Sequence, residues 1–131
     1  MVINDGDVLL IDRNNNGRLY SALPGGGVEQ GETLEEACLR ELREETSLEG
    51  RVARLLPVPI DVDAPAFYLS VIVSSRALQL GEPEATRSSS TNVYTPRWVA
   101  FAELDEGKLT TEALTAIRTA ASLPGSRADA R

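Results

Sequence analysis

An acidic segment in the first half of the chain has the residue types and the spacing to bind a metal ion. Glu41, Glu44 and Glu45 follow one another at helical intervals. In a helix, residues three and four positions apart lie on one face, roughly 5–6 Å from each other. Three carboxylates on one face can surround one or two cations, and an open set of oxygen ligands favours magnesium, which also binds substrate phosphates. Such an ion polarises phosphoryl oxygens and can activate a water molecule.

The apolar residues of the same segment indicate which way these carboxylates point. At about 100° per residue, Glu41 and Glu45 fall within the apolar arc that extends from Ala37 to Leu42, and Glu44 falls at its border. Carboxylates buried together would repel each other and take up protons, and a divalent cation removes that difficulty. The alternative is a solvated acidic face with salt bridges such as Arg40 to Glu44, but this does not account for the two inward glutamates.

Three glycines, Gly25, Gly26 and Gly27, precede the acidic segment. A residue without a side chain lets the backbone approach a ligand closely, and its exposed amides or carbonyls can contact phosphate or metal. Turn glycines between a strand and a helix are common, so the signal is weak alone. Beside the acidic helix, it makes Gly26 and Gly27 candidates for substrate contacts.

Composition restricts the chemistry further. The chain has a single cysteine, Cys38, and no histidine, which excludes a zinc cage, a Ser-His-Asp triad and an imidazole base. Carboxylates are left to handle protons and metals. The net charge of −7 argues against a protein that binds long nucleic acid, because that mode of binding needs a basic face. A small phosphorylated ligand remains compatible with this charge if metal ions screen it.

Length and hydropathy predict one domain. With 131 residues and 42% hydrophobic content, we expect a single domain over residues 1–121 and a flexible tail over residues 122–131. No apolar run approaches the roughly 20 residues that cross a bilayer, and the first residues lack the pattern of a secretory signal. We therefore expect a cytoplasmic protein that does not contact membranes.

Turn and capping signals divide the chain into alternating elements. Asn14 to Gly17 is a turn cluster, and Thr33 with Glu36 forms a capping box that predicts a helix through Thr46. The predicted strands are Val2-Ile3, Asp7 to Asp12, Arg18 to Leu23, Arg51 to Val58, Ala66 to Ser74 and Arg97 to Phe101; Pro83 to Asn92 is a predicted loop and Thr111 to Ala121 a second helix.

The segment from Gly25 to Leu48 resembles the Nudix box: glycine, five residues, Glu, seven residues, then Arg-Glu-aliphatic-x-Glu-Glu-x-Gly-aliphatic. Gly26, Glu32, Arg40, Glu41, Leu42, Glu44, Glu45 and Leu48 occupy its positions. The strands before the box and the Trp98 strand after it also look like the family. The resemblance implies a Nudix-type α/β/α sandwich with a mixed β-sheet and the Nudix loop-helix.

One position departs from the family pattern. Ser47 stands where the family usually has glycine near the helix end, a position that favours a left-handed conformation. Serine there could cost up to about 1 kcal/mol, or the turn could shift toward Gly50. No metal-facing carboxylate is lost, so we do not expect this change to abolish activity.

The resemblance also implies roles for individual residues. Glu41, Glu44 and Glu45 would bind Mg²⁺, with Mn²⁺ as a substitute, and the Gly25 carbonyl would contribute. Arg40 would hold the glutamates in place, and Glu32 would support the loop. The general base would be a box glutamate such as Glu44 or a loop carboxylate, for which Glu84 ranks before Glu82; ordinary solvated loop acids are an equally good explanation of these two.

The resulting hypothesis is a metal-dependent pyrophosphohydrolase. It would cleave a phosphoanhydride bond in a nucleoside diphosphate linked to another moiety or in a nucleoside triphosphate. The alternatives are a Nudix-fold sensor that binds a nucleotide without cleaving it, and a domain whose acidic helix binds a basic partner protein. The oligomeric state stays open, with a homodimer among the options. Aromatic and basic residues that could contact a base or phosphates are Tyr20, Tyr94, Trp98, Arg18, Arg87 and Arg97, and each has an ordinary structural explanation.

Overall fold

The chain forms six strands and two helices within residues 1–63, 65–82, 85 and 88–123, which the computed structural model describes. The elements are β1 Ile3–Asn4, β2 Asp7–Asn15, β3 Arg18–Ala22, α1 Leu34–Thr46, β4 Gly50–Leu55, β5 Leu69–Val73, β6 Asn92–Ala100 and α2 Thr111–Ser122, with 3-10 turns at Phe101–Glu103 and Glu106–Lys108. In these ranges no helix is long and apolar enough to cross a membrane.

Strand β2 is the centre of the larger sheet. It pairs antiparallel with β1 and β3 and, over its whole length, with β6. The predicted turn between β2 and β3 is present, with Asn16 and Gly17 at φ 52° and 87°. Strands β4 and β5 form a second antiparallel pair. An isolated parallel bridge between Val2, just before β1, and Val71 joins the two sheets. The pairings between the named strands are all antiparallel.

The two helices cover opposite faces of the sheet. Val8 and Leu10 of β2 belong to a core cluster with Ala116 and Ile117 of α2. Leu9, between them, belongs to a second cluster with Leu42 of α1. Alternate residues of a strand point to opposite faces, so the alternation in β2 produces a helix–sheet–helix sandwich. The predicted α/β fold is confirmed.

Some predicted boundaries were wrong. β6 begins at Asn92 instead of Arg97, because pairing with β2 extends it through polar residues and Pro96, which an edge strand tolerates. β5 begins at Leu69 instead of Ala66, and β4 ends at Leu55, before Pro57. Ser122, predicted as the first residue of the tail, is instead the last residue of α2. Residues 124–131 lie outside the part of the chain that the structure describes, so the tail stays a prediction.

Candidate catalytic site

The helix that carries the acidic segment begins as predicted. Thr33 caps α1: its hydroxyl accepts a hydrogen bond from the Glu36 amide at 3.1 Å. The Glu36 carboxylate accepts one from the Thr33 amide at 3.0 Å. This capping box satisfies amides of the first turn that have no partner within the helix, and it fixes where the preceding loop meets α1.

The end of α1 shows how Ser47 replaces the expected glycine. Ser47 adopts the left-handed conformation itself, with φ 64° and ψ 9°, and its amide donates to the Arg43 carbonyl at 2.8 Å. The turn therefore does not shift to Gly50. Leu48 follows as a buried core residue, so the helix ends within the box despite the serine.

Arg40 connects the loop to the acidic helix. Its guanidinium binds the Glu32 carboxylate through two hydrogen bonds of 2.7 and 3.0 Å. It also donates to the Gly27 carbonyl at 3.0 Å. The hydrogen bonds between Arg40 and Glu32 are the main reason why the pKa of the Glu32 carboxyl lies below its usual value and why the pKa of Arg40 is raised. A bidentate pair fixes direction as well as distance, so Arg40 and Glu32 fix the loop against α1.

The same guanidinium contacts two of the candidate metal ligands. Nη1 of Arg40 lies 2.9 Å from Oε1 of Glu41 and 3.2 Å from Oε2 of Glu44. Both carboxylates are partly buried, with 13% and 23% of their side-chain surface exposed. Two oxygens that share one nitrogen at these distances lie close to each other, which brings Glu41 and Glu44 together on one side of the helix.

Glu45 faces the interior and contacts the glycine segment. It is buried, with 8% of its surface exposed, and its Oε1 accepts a hydrogen bond from the Gly25 amide at 2.7 Å. The helical wheel placed this side chain on the apolar side of α1, and the structure confirms that placement. At Gly25, the group that contacts the glutamate is the backbone amide, whereas the carbonyl of this residue was the group expected to bind a metal ion.

Gly26 lies directly against the Glu41 side chain. A Cβ atom on Gly26 would come within 2.5 Å of Glu41 Oε1 and 2.6 Å of its carboxyl carbon. Contacts this short do not occur, so a side chain at this position would displace the carboxylate. The glycine segment thus contacts two of the three acidic side chains. The Gly25 amide donates a hydrogen bond to Glu45, and Gly26 leaves space for the Glu41 carboxylate because it has no side chain.

The donor chemistry suits a hard divalent cation, although the arrangement is not that of a formed metal site. Glu41, Glu44 and Glu45 offer carboxylate oxygens alone, the ligand type that magnesium prefers. Over the residues with described positions, no group of three or more acidic, histidine or cysteine side chains has the geometry to hold a metal ion. In this structure the carboxylates instead accept hydrogen bonds from Arg40 and Gly25.

Of the two loop carboxylates considered as bases, one can be located. Glu82 lies in an exposed turn after β5, directly following Gly81, whose amide donates to the Glu44 carbonyl at 2.8 Å. Glu84 lies outside the described residues. The sequence analysis did not identify the contact between this loop and α1; its single signal was the lone glycine at position 81.

A cavity of about 400 Å³ lies against the glycine segment, and none of the three candidate metal-binding glutamates lines it. Residues Gly25, Gly26 and Gly27 form one wall, and the stretch containing Phe67 and Tyr68 lines it as well. The volume falls in the usual range for small-molecule sites. Phe67 is 46% exposed, and burial raises the pKa of the Tyr68 hydroxyl. Neither aromatic was identified as a candidate from the sequence, because both fall within the strand predicted from Ala66 to Ser74, and an aromatic residue in a strand usually belongs to the core.

Cys38 also lines this cavity. It packs against the core cluster that contains Leu42. Burial raises the pKa of its thiol, so the thiolate is disfavoured, and a thiol is a poor nucleophile without ionisation. Cys38 therefore serves as a wall and packing residue.

Two tyrosines considered for base stacking instead stack on arginines of the sheet. The Arg13 guanidinium lies 3.8 Å from the ring centre of Tyr94 and 5.6 Å from that of Tyr20. Arg18 lies 4.9 Å from the Tyr20 ring. Arg13 is directly opposite both tyrosines in the strand register, so these contacts join β2 to its neighbours.

The two remaining candidates with described positions, Trp98 and Arg97, also have structural partners. The Trp98 indole donates to the Arg76 carbonyl at 3.0 Å, and the Arg76 guanidinium lies 4.5 Å from the Trp98 ring. Arg97 forms an ion pair with Asp12. Arg87 lies outside the described residues.

Comparison with known proteins gives the same assignment as the box residues. The NUDIX domain model matches residues 1–120. The ADP-ribose pyrophosphatase of Methanocaldococcus jannaschii is 51% identical over 59 residues, which are 44% of this chain and 35% of that protein. This chain thus matches about a third of that relative's length.

Solved structures show the same fold. A UDP-X diphosphatase superposes with a TM-score of 0.64 at 21% identity, covering 99% of this chain and 61% of that one. A MutT NUDIX hydrolase from Burkholderia pseudomallei has a TM-score of 0.61 at 26% identity, covering 90% and 91%. The match of the domain model to nearly the whole chain, carried by the residues just described, identifies this protein as a member of the Nudix family.

Proposed function

We propose that this protein is a metal-dependent pyrophosphohydrolase that cleaves a nucleoside diphosphate linked to another moiety. The observation that carries the proposal is the position of the glycine segment. Gly25 and Gly26 contact the carboxylates of Glu45 and Glu41, and the same residues line the 400 Å³ cavity. A substrate with its organic part in the cavity would extend its phosphates over the glycines toward the acidic side chains.

The names of two similar proteins support this substrate class. One is an ADP-ribose pyrophosphatase and the other a UDP-X diphosphatase. Both names describe a nucleoside diphosphate joined to a second group. Nucleoside triphosphates, which carry the same anhydride bond, stay in the panel of substrates to be tested.

Nudix hydrolases generally use divalent metal ions, and for this chain we propose Mg²⁺, with Mn²⁺ as a substitute. Glu41, Glu44 and Glu45 would hold the ion, with the Gly25 carbonyl as a further ligand. When bound, such an ion neutralises charge on the phosphoryl oxygens and makes the phosphorus more electrophilic. The dense carboxylates otherwise repel an anionic substrate, which is a physical reason for a cation here.

The chain's own groups would orient the reactants and accept the proton. Arg40 positions Glu41 and Glu44 through the hydrogen bonds given above. The backbones of Gly26 and Gly27 contact the phosphates. Water attacks one phosphorus of the anhydride, its proton passes to a carboxylate, and the bridging oxygen leaves with the second phosphate. We propose Glu44 or the loop carboxylate Glu84 as the proton acceptor. A cytoplasmic location and a homodimer stay predictions.

The test is a nucleotide panel incubated with Mg²⁺, with products separated by chromatography. We expect Mg²⁺-dependent cleavage, and we expect Glu45→Gln to abolish it. Glu35→Gln is the matched control, because Glu35 lies exposed in the first turn of the same helix. Mg²⁺ should also raise the melting temperature of the wild type, as any ligand of the folded state does, and should raise that of Glu45→Gln less.

The outcomes separate the hypotheses. Binding of a nucleotide in the presence of Mg²⁺ without turnover would favour a sensor. The absence of both binding and turnover would contradict the proposal and leave the acidic helix as an interaction surface.

A further inference from the structure

The segment after β5 packs against the C-terminal end of α1. The Gln79 amide donates to the Thr46 carbonyl at 3.0 Å, and the Gly81 amide donates to the Glu44 carbonyl at 2.8 Å. The last carbonyls of a helix have no partner within it. This segment supplies donors to two of them, so it is attached to the turn that carries the candidate metal ligands.

Gly81 makes this approach sterically feasible. A Cβ atom at residue 81 would lie 2.7 Å from the Glu44 carbonyl oxygen and 2.9 Å from the Arg43 carbonyl oxygen. Both are backbone atoms of the helix, so neither can move aside as a flexible side chain would. A side chain at this position would separate the loop from α1.

Ser47 forms the third part of the contact. Its hydroxyl donates to the Gln79 carbonyl at 2.6 Å, so Gln79 is held through both its amide and its carbonyl. Ser47 sits at φ 64°, where glycine is unstrained and other residues are uncommon. A glycine would end the helix equally well, but it would lack the hydroxyl that reaches the loop.

We propose that Ser47 is a positioning residue for the hydrolytic reaction. Its hydroxyl, with the Gly81 amide, fixes the loop backbone on the helical turn that carries Glu44 and Glu45, and thereby holds residue Glu82, one of the two loop acids considered as bases, beside that turn. Consecutive Cα atoms are 3.8 Å apart, so Glu82 follows directly from the residue bonded to the Glu44 carbonyl. This inference rests on the proposed hydrolase function and explains what the family-divergent serine does.

Two substitutions at Ser47 separate the hydroxyl from helix termination. Both Ser47→Ala and Ser47→Gly remove the hydroxyl, but only the glycine relieves the left-handed conformation. We expect Ser47→Gly to melt at a higher temperature than Ser47→Ala. We expect kcat to fall by the same factor in both variants, roughly three- to tenfold, which corresponds to the loss of one ordinary hydrogen bond. If Ser47 only ended the helix, kcat would instead recover in Ser47→Gly. Ser122→Ala, which removes a hydroxyl at the end of α2, is the control.

Hydrogen exchange measures the contact without any substrate. The amides of Gln79 and Gly81 should exchange roughly three- to tenfold faster in Ser47→Gly than in the wild type. Gly81→Ala should accelerate exchange at Gln79 as well. Gly107→Ala is the matched control, because a Cβ there meets its nearest neighbour at 3.4 Å, an ordinary contact.

The two kinds of failure are distinguishable. Unchanged exchange in Ser47→Gly, or unchanged kcat with an active wild type, would overturn the positioning role. If the wild type cleaves no nucleotide of the panel, the hydrolase proposal fails, and the positioning role of Ser47 in the reaction fails with it. Exchange then decides separately whether the hydroxyl fixes the loop.

Discussion

The carboxylate of Glu41 occupies the space in which a side chain at position 26 would stand. A Cβ on Gly26 would come within 2.5 Å of Glu41 Oε1. A side chain at position 26 would thus displace an acidic side chain 15 positions later in the sequence, on the helix that follows the loop. Glycine in this loop has a steric function in addition to any contact it makes with substrate.

Gly26→Ala should therefore disable the site by displacing Glu41. We expect roughly a hundredfold loss of kcat/KM, as for a misplacement of about 1 Å in a catalytic group. The half-saturating Mg²⁺ concentration should rise as well. The variant would be measured beside Gly107→Ala, which should keep wild-type activity. Wild-type kinetics in Gly26→Ala would mean that Glu41 can move without consequence.

Arg40→Lys should weaken the site while keeping its charge. The ammonium of lysine cannot form the two parallel hydrogen bonds that Arg40 makes with Glu32, nor reach Glu41 and Gly27 at the same time. We expect roughly a tenfold higher half-saturating Mg²⁺ concentration, the lower range for residues that orient metal ligands. Arg43→Lys is the control, because Arg43 is exposed and pairs with Glu49 at 3.6 Å. If Arg40→Lys raised the half-saturating Mg²⁺ concentration no more than Arg43→Lys does, a positive charge alone would be sufficient at position 40.

The ion pair of Glu32 predicts a dependence of stability on pH. Its pKa lies below the usual 4.5 in the folded protein because Arg40 hydrogen-bonds to its carboxylate. A carboxyl group with a lowered pKa stabilises the fold above its unfolded pKa, and that contribution is lost as the pH falls through the folded value. The wild type should therefore melt above Glu32→Gln near neutral pH, and the difference should shrink as the pH falls below 4.5. A difference that stayed constant over the acid range would contradict this origin.

Local signals were sufficient for the site helix. The Thr33 capping box, the apolar periodicity around Leu42 and the spacing of the glutamates all act within a few residues. They predicted the bounds of α1 correctly, along with the burial of Glu45. The box pattern likewise identified Arg40 and Glu32, which the structure joins across the loop.

Contacts between distant segments could not be predicted in this way. β6 begins five residues early because β2 pairs with it, which outweighs the polar residues and Pro96. The closeness of Gly81 to the Glu44 carbonyl depends on how a loop returns to the helix. The same holds for Phe67, which lines a cavity formed with residues 40 positions earlier. No local pattern encodes these distances, because they are set by tertiary packing.

Phe67→Ala should weaken substrate binding more than it slows turnover. Phe67 lines the cavity, and none of the candidate metal-binding glutamates does. Its side chain is exposed enough to stack on a nucleobase. Stacking of one base on an aromatic ring contributes about 1–3 kcal/mol, so KM should rise about tenfold with little change in kcat. Val62→Ala is the control, because Val62 is an exposed apolar residue of the same connection, at 87% exposure, and does not line the cavity. If kcat instead fell about tenfold and KM did not change, the base would bind elsewhere and Phe67 would act only on the reacting end of the substrate.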